Sequence, residues 1–168
     1  MLKLIFSVCL ALCLAACSAG SKGKPELVGN QAPYVRLVAL DGAPHVLEEY
    51  KGRTIVLIFW AQWCHRSNQS IARLNSLAER LKRSRDLAFV AVSVDKAEDF
   101  EKLKNKISIN SLSSFDHFFS GNEGNDEAFV SFGGGELPLI FIIDPRGSVV
   151  ATGGHDEFVF EYFGQVGK

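Results

Sequence analysis

Charge of either sign is scarce in surplus: 18 Lys and Arg stand against 19 Asp and Glu, a formal net charge of −1. A chain that held nucleic acid mainly through phosphate contacts would carry a marked excess of cations, so no nucleic-acid partner is expected. With 15 Gly, 5 Pro and 22% charged residues in 168, the composition of a disordered, collagen-like or coiled-coil chain is also lacking. There is no internal repeat. Nor is any apolar run long enough to cross a bilayer. The uncharged stretch from Leu4 reaches Ala19 at most before Gly20-Ser21-Lys22-Gly23-Lys24, whereas a span takes about 20 apolar residues. Cysteine is sparse, and three of the four, Cys9, Cys13 and Cys17, lie in the first 17 residues. Hydrophobic material is present in quantity, at 47%, enough for one compact domain with a buried core and too little chain for a second.

Met1-Leu2-Lys3 is a short cationic start, and Leu4 to Leu14 has the length of a secretory hydrophobic region. In Leu14-Ala15-Ala16-Cys17, small residues stand just before a cysteine. This segment resembles the bacterial lipoprotein signal, which implies cleavage after Ala16 and lipid on Cys17. An ordinary secretory signal with an incidental Cys17 is the alternative; both place the protein outside the cytoplasm. Residues 1–16 are accordingly read as a signal peptide, 17–32 as the lipidated Cys17 with a flexible tether, and 33–168 as the folded domain. Ser18 resembles signals that permit outer-membrane sorting, with the choice of inner or outer membrane left open. Cys9 and Cys13 leave with the signal and Cys17 is blocked, so Cys64 remains as the free thiol, with no partner for an internal disulfide. An unpaired exported thiol points to an intermolecular disulfide or a reactive role; an inert buried side chain is the plain alternative.

Within the domain, Tyr34 to Leu40 and His45 to Leu47, flanking Asp41-Gly42, suggest a hairpin. Glu48 to Gly52 suggests one helical turn. Thr54 to Trp60 is continuously apolar and β-branched, as expected of a central strand buried on both faces. Ile71, Leu74, Leu77, Ala78 and Leu81 recur at helical spacing and predict a helix over about 65–83, and Leu87 to Val94 predicts the next strand. Ala97 to Lys106 reads as a helix. Residues 108–136 are rich in Ser, Asn and Gly, with a short helix expected near Asp126 to Phe132 before Gly133-Gly134-Gly135. Leu139 to Ile143 and Ser148 to Thr152, joined by Asp144-Pro145-Arg146-Gly147, read as a strand pair, and Asp156 to Gln165 as a last helix.

Cys64 falls where the strongest strand ends and the longest helix begins, in Trp63-Cys64-His65-Arg66-Ser67. Free backbone N–H groups and the positive end of the helix dipole favour an anion there, and His65 and Arg66 add cationic neighbours. That position favours a reactive thiol over an inert one.

Phe59-Trp60-Ala61-Gln62-Trp63-Cys64 resembles the active-site approach of the thioredoxin superfamily, and Leu137-Pro138-Leu139-Ile140-Phe141-Ile142-Ile143-Asp144 with Gly147 is similar to its cis-proline strand and hairpin. With the N-terminal hairpin and the lipoprotein signal, residues 30–165 look like the TlpA/ResA-like group of envelope thiol-disulfide proteins. The resemblance implies an α/β thioredoxin-like fold: a central mixed β-sheet flanked by helices, with an N-terminal β-hairpin extension. It implies a cis Pro138 beside Cys64, the Leu137 backbone free to pair with an extended substrate, and Trp63 flanking the groove. It also brings out two departures. The family site is Cys-x-x-Cys, but Ser67 stands at the second cysteine position. Thioredoxins proper carry a buried Asp six residues before the first cysteine, where this chain has Ile58. A dithiol cycle within one chain is excluded. What is expected is monothiol disulfide exchange by Cys64, aided by His65, Arg66 and a hydrogen bond from Ser67, with release by an external thiol. The partners implied are envelope proteins bearing thiols or disulfides, a small thiol or a second oxidoreductase, and the membrane through Cys17. No cofactor is called for.

Other constellations are weaker. His45, His65, His117 and His155 form no local ligand pair with one another or with Cys64, so no metal site is expected. Arg73, Arg80, Lys82, Arg83 and Arg85 suit a solvated helix face and end. Asp95, Glu98, Asp99 and Glu101 read as surface charges. Gly133-Gly134-Gly135 lacks the setting of a phosphate loop. A non-catalytic binding or chaperone module on the same fold is the rival reading. A peroxide-reducing enzyme is weaker, for want of the Pro and Thr that such enzymes place ahead of the thiol.

Overall fold

The computed structural model describes residues 27–82 and 84–166; the signal segment and Cys17 lie outside them. In chain order come β1 (Arg36–Val38), β2 (Pro44–Val46), a 3-10 turn (Leu47–Tyr50), β3 (Thr54–Trp60), α1 (His65–Leu81), β4 (Leu87–Ser93) and α2 (Phe100–Ile109). They are followed by β5 (Asp116–Phe119), α3 (Glu127–Ser131), β6 (Leu139–Ile143), β7 (Val149–Gly153) and α4 (Glu157–Val166). β1 and β2 pair as a separate hairpin, and the other five strands form one sheet in the order β5-β4-β3-β6-β7. β4 runs parallel to β3 and to β5, while β6 is antiparallel to β3 and to β7. The expected mixed sheet with a hairpin extension is what the chain builds.

The unbroken apolar run in β3 follows from its central place. Val56, Ile58 and Trp60 face Ile71, Leu74 and Leu77 of α1, Leu103 of α2 and Val159 of α4. Ile55, Leu57 and Phe59 face the hairpin and Ala128, Phe129 and Phe132 at α3. Both faces being covered, alternation with polar residues disappears. Ile58 is thus a core side chain against α1, fully buried.

The structure departs from the sequence reading in three places. β5 forms within the Ser- and Asn-rich stretch 108–136, pairing Val90 with Asp116 and Ser93 with Phe119. Four residues, paired with β4 and touched by a single bridge from Ala39 to Phe118, carry too short a pattern to stand out from loop composition. The described end of the tether, residues 27–32, belongs to the fold. Gly29 N–H donates to Val149 O at 2.8 Å and Ala32 N–H to Gly147 O at 2.8 Å, and Leu27 packs against the core. Gly147, whose C=O receives the strap, takes φ +87°, a conformation that L side chains rarely adopt. Finally, Asp95, expected at the surface, is fully buried.

A candidate thiol site at the β3–α1 junction

β3 ends at Trp60, and the chain turns through Ala61-Gln62-Trp63 before α1 starts at His65, with Cys64 as its N-cap residue. Cys64 N–H donates to Ala61 O at 3.1 Å, closing the turn, and Asn68 N–H donates to Cys64 O at 3.0 Å, opening the helix. The thiol of Cys64 is half-buried and lies 3.8 Å from the carbonyl oxygen of Leu137, to which it donates. The Leu137-Pro138 peptide is cis, so the two segments that the resemblance paired do meet. The N–H of Leu137 has no hydrogen-bond partner among the described residues.

A groove of about 670 Å³ opens over the thiol, with Trp63, Val94, Phe129 and Leu137 as its apolar lining and Arg66, Glu123 and Glu136 as charged members. Trp63 is 61% exposed, a large aromatic surface beside the thiol. Arg66 Nη1 approaches Glu136 Oε2 at 3.9 Å across the groove. His65 is exposed, and its imidazole makes no hydrogen bond among the described residues. Ser67 sits one turn into α1, fully buried, and its Oγ has no partner among the described residues. The hydrogen bond expected from Ser67 to the thiol is therefore not made in this state.

Two residues of the site escaped the sequence reading. Asp95 follows the C-terminal end of β4 and accepts the Gln62 N–H at 3.0 Å through Oδ2 and 3.3 Å through Oδ1. The Ser93 hydroxyl donates to Asp95 Oδ2 at 2.7 Å. Burial pushes the Asp95 carboxyl above the ordinary carboxylate range, against the Gln62 N–H and Ser93 hydroxyl, which lower it. Asn68 Nδ2 donates to Gln62 O at 2.9 Å and to Cys64 O at 2.8 Å. The available signal was position: Asp95 ends an apolar strand, where α/β sheets build their sites, and Asn68 lies one helical turn beyond Cys64.

A central mixed sheet with a helix N-terminal cysteine set against a cis-proline loop defines a thioredoxin-like protein. Residues 28–152 match the AhpC/TSA family, and the chain belongs to that family. Among its relatives is the thiol-disulfide oxidoreductase ResA of Geobacillus thermodenitrificans, 28% identical over 123 residues, which are 73% of this chain and 66% of that protein. The chain thus spans just under two thirds of that relative's length. The thioredoxin-like protein YneN of Bacillus subtilis is 36% identical over 74 residues, 44% of this chain and 42% of that one. A solved thiol-disulfide oxidoreductase from Bacteroides fragilis superposes with a TM-score of 0.73 at 24% identity, covering 82% of this chain and 99% of its own. At that identity the superposition speaks for the fold.

Proposed function

We propose that the chain is an envelope thiol-disulfide exchange protein that works through Cys64 as a monothiol. The observation that carries this reading is the Cys64 thiol placed against Leu137 at the mouth of an apolar groove, with Ser67 where a resolving thiol would stand. Cys64, as thiolate, attacks one sulfur of a client disulfide. A new S–S bond forms to Cys64, the client S–S bond breaks, and the departing sulfur leaves as a thiolate that takes up a proton. An extended client segment is held beside Pro138 by pairing with the free Leu137 N–H, with its side chains against Trp63. Arg66, which lines the groove beside Cys64, supplies positive charge near the reacting sulfurs, and the exposed His65 follows Cys64 in the first turn of α1. The adduct persists until a thiol from outside the chain, on the client, a small molecule or a second oxidoreductase, attacks it and restores the Cys64 thiol.

Lipid on Cys17 would hold the domain at the membrane on the periplasmic side, through residues 18–26. The exposed Trp63 and the apolar lining of the groove also support a second reading, a binding or chaperone module that holds clients without chemistry. Acid-quenched envelopes with free thiols blocked, run without reductant, separate the two. Exchange predicts discrete high-mass species that vanish on reduction and in Cys64→Ala; a Cys64 that stays monomeric and fully alkylated under oxidising conditions sinks the exchange reading.

A further inference from the structure

Gln62 is gripped at both ends by side chains from two different elements. Its N–H is taken by the Asp95 carboxylate at the end of β4, and its C=O by the Asn68 amide in the first turn of α1. The same Asn68 amide also reaches Cys64 O, which already receives the Asn68 backbone N–H. The turn that carries Trp63 and Cys64 is therefore held from the sheet on one side and from the helix on the other.

Neither side chain is placed where it costs nothing. Asp95 is a fully buried carboxylate with no cation against it among the described residues; what faces it is the Gln62 N–H, the Gln62 side chain, the Ser93 hydroxyl and the like charge of Asp99. Asn68 commits its amide N–H groups to two carbonyls and leaves its own Oδ1 buried without a partner among the described residues. A buried carboxyl and an unsatisfied amide oxygen both oppose folding. A helix position filled only for stability would hold a better helix former than Asn. Groups kept at such cost are found where geometry is needed for function.

We infer that Asp95 and Asn68 are positioning residues for Cys64: together they fix the Gln62 peptide unit, and through it the place of the thiol at the start of α1 and of Trp63 beside the groove. This inference rests on the proposed exchange at Cys64, but it concerns the turn itself and is read out without a disulfide. The device is an acceptor for an N–H paired with a donor for two C=O groups. The neutral Asp95→Asn, which keeps an acceptor oxygen, therefore preserves it. Asp95→Ala leaves the part-buried Gln62 N–H and the buried Ser93 hydroxyl without this acceptor and risks the fold, so Asn68→Ala carries the test. It removes the donors while improving helix propensity.

On the full-length chain, the rate of Cys64 carbamidomethylation by iodoacetamide, the hydrogen exchange of the Gln62 amide and the melting temperature are measured for wild type, Asn68→Ala and Asp95→Asn. The expected result for Asn68→Ala is a cooperative melt near that of wild type, Cys64 alkylated about fivefold more slowly, and Gln62 exchange faster by a similar factor. That is roughly the factor carried by one net hydrogen bond. Asp95→Asn should stay within about twofold of wild type in alkylation and exchange. Alkylation by Asn68→Ala at the wild-type rate, or slowed alkylation with unchanged Gln62 exchange, overturns the inference. A wild-type chain that alkylates normally yet forms no mixed disulfide overturns the exchange reading alone.

Discussion

The sulfur of Cys64 and the carbonyl oxygen of Leu137 lie 3.8 Å apart across 73 residues of sequence. One end of that contact is the N-cap of α1, the other the residue before the cis-proline at the start of β6. The antiparallel pairing of β3 with β6, which sets Phe59 opposite Leu139, brings both to the same end of the sheet. Chemistry at this thiol is thus anchored on two central strands.

Ser67→Cys supplies the thiol that the site lacks, one turn from Cys64 on the same helix. The variant is expected to close an intrachain disulfide on mild oxidation, seen as the loss of two alkylatable thiols and about 2 Da in intact mass. It should also shorten the lifetime of mixed disulfides by at least about tenfold, since attack becomes intramolecular. Mixed disulfides that last as long as in wild type would contradict the assignment of position 67 to resolution.

Burial raises the Asp95 carboxyl above its ordinary value, and this gives stability a pH signature. A raised acid binds its proton more tightly in the folded state, so its contribution is full below the unfolded value near about 3.9 and is lost as pH rises through the folded value. Asp95→Asn has no such loss. Denaturant titrations from acid to neutral pH should show the variant gaining on wild type as pH rises across that window, and a constant difference would contradict the shift.

His117 carries the opposite sign. Burial lowers its imidazole below the ordinary histidine value, against a 2.7 Å hydrogen bond between Nε2 and Leu112 O. The neutral ring is the folded form, so stability is complete above about pH 6.5 and falls as acid protonates the unfolded chain first. His117→Phe should flatten that acid slope in the same titrations.

Asp156 joins α4 to α1 away from the thiol. Its Oδ1 accepts the Ser70 hydroxyl at 3.0 Å, and Arg73 Nε lies 3.0 Å from its Oδ2. Asp156→Ala is expected to cost about 1–3 kcal/mol in urea unfolding, while Cys64 alkylation in the folded protein stays unchanged.

Legibility differed by residue, for physical reasons. Thr54 to Trp60 and the α1 stripe were plain because long apolar patterns specify both element and burial. Cys64 and Pro138 stood out because their neighbours repeat a known arrangement. Asp116 to Phe119 did not, being four residues of an outer strand whose ladder partner is β4. The strap 27–32 has loop composition and is ordered by backbone hydrogen bonds to the β6–β7 turn, which leave no mark in side-chain pattern. Asp95 misled because a carboxylate amid Lys96, Glu98 and Asp99 looks solvated. Only the tertiary contact with Gln62 reveals why it is buried.

The most direct test of the central claim is an intact-mass measurement on the purified chain with Cys9, Cys13 and Cys17 replaced by Ser, so that Cys64 is its one thiol, mixed with an excess of a peptide disulfide and quenched in acid over a time course. The account predicts one adduct of one peptide mass, on Cys64, appearing with time, persisting without added thiol and discharged by a small thiol. A chain that stays unmodified while its Cys64 remains open to alkylation would contradict it.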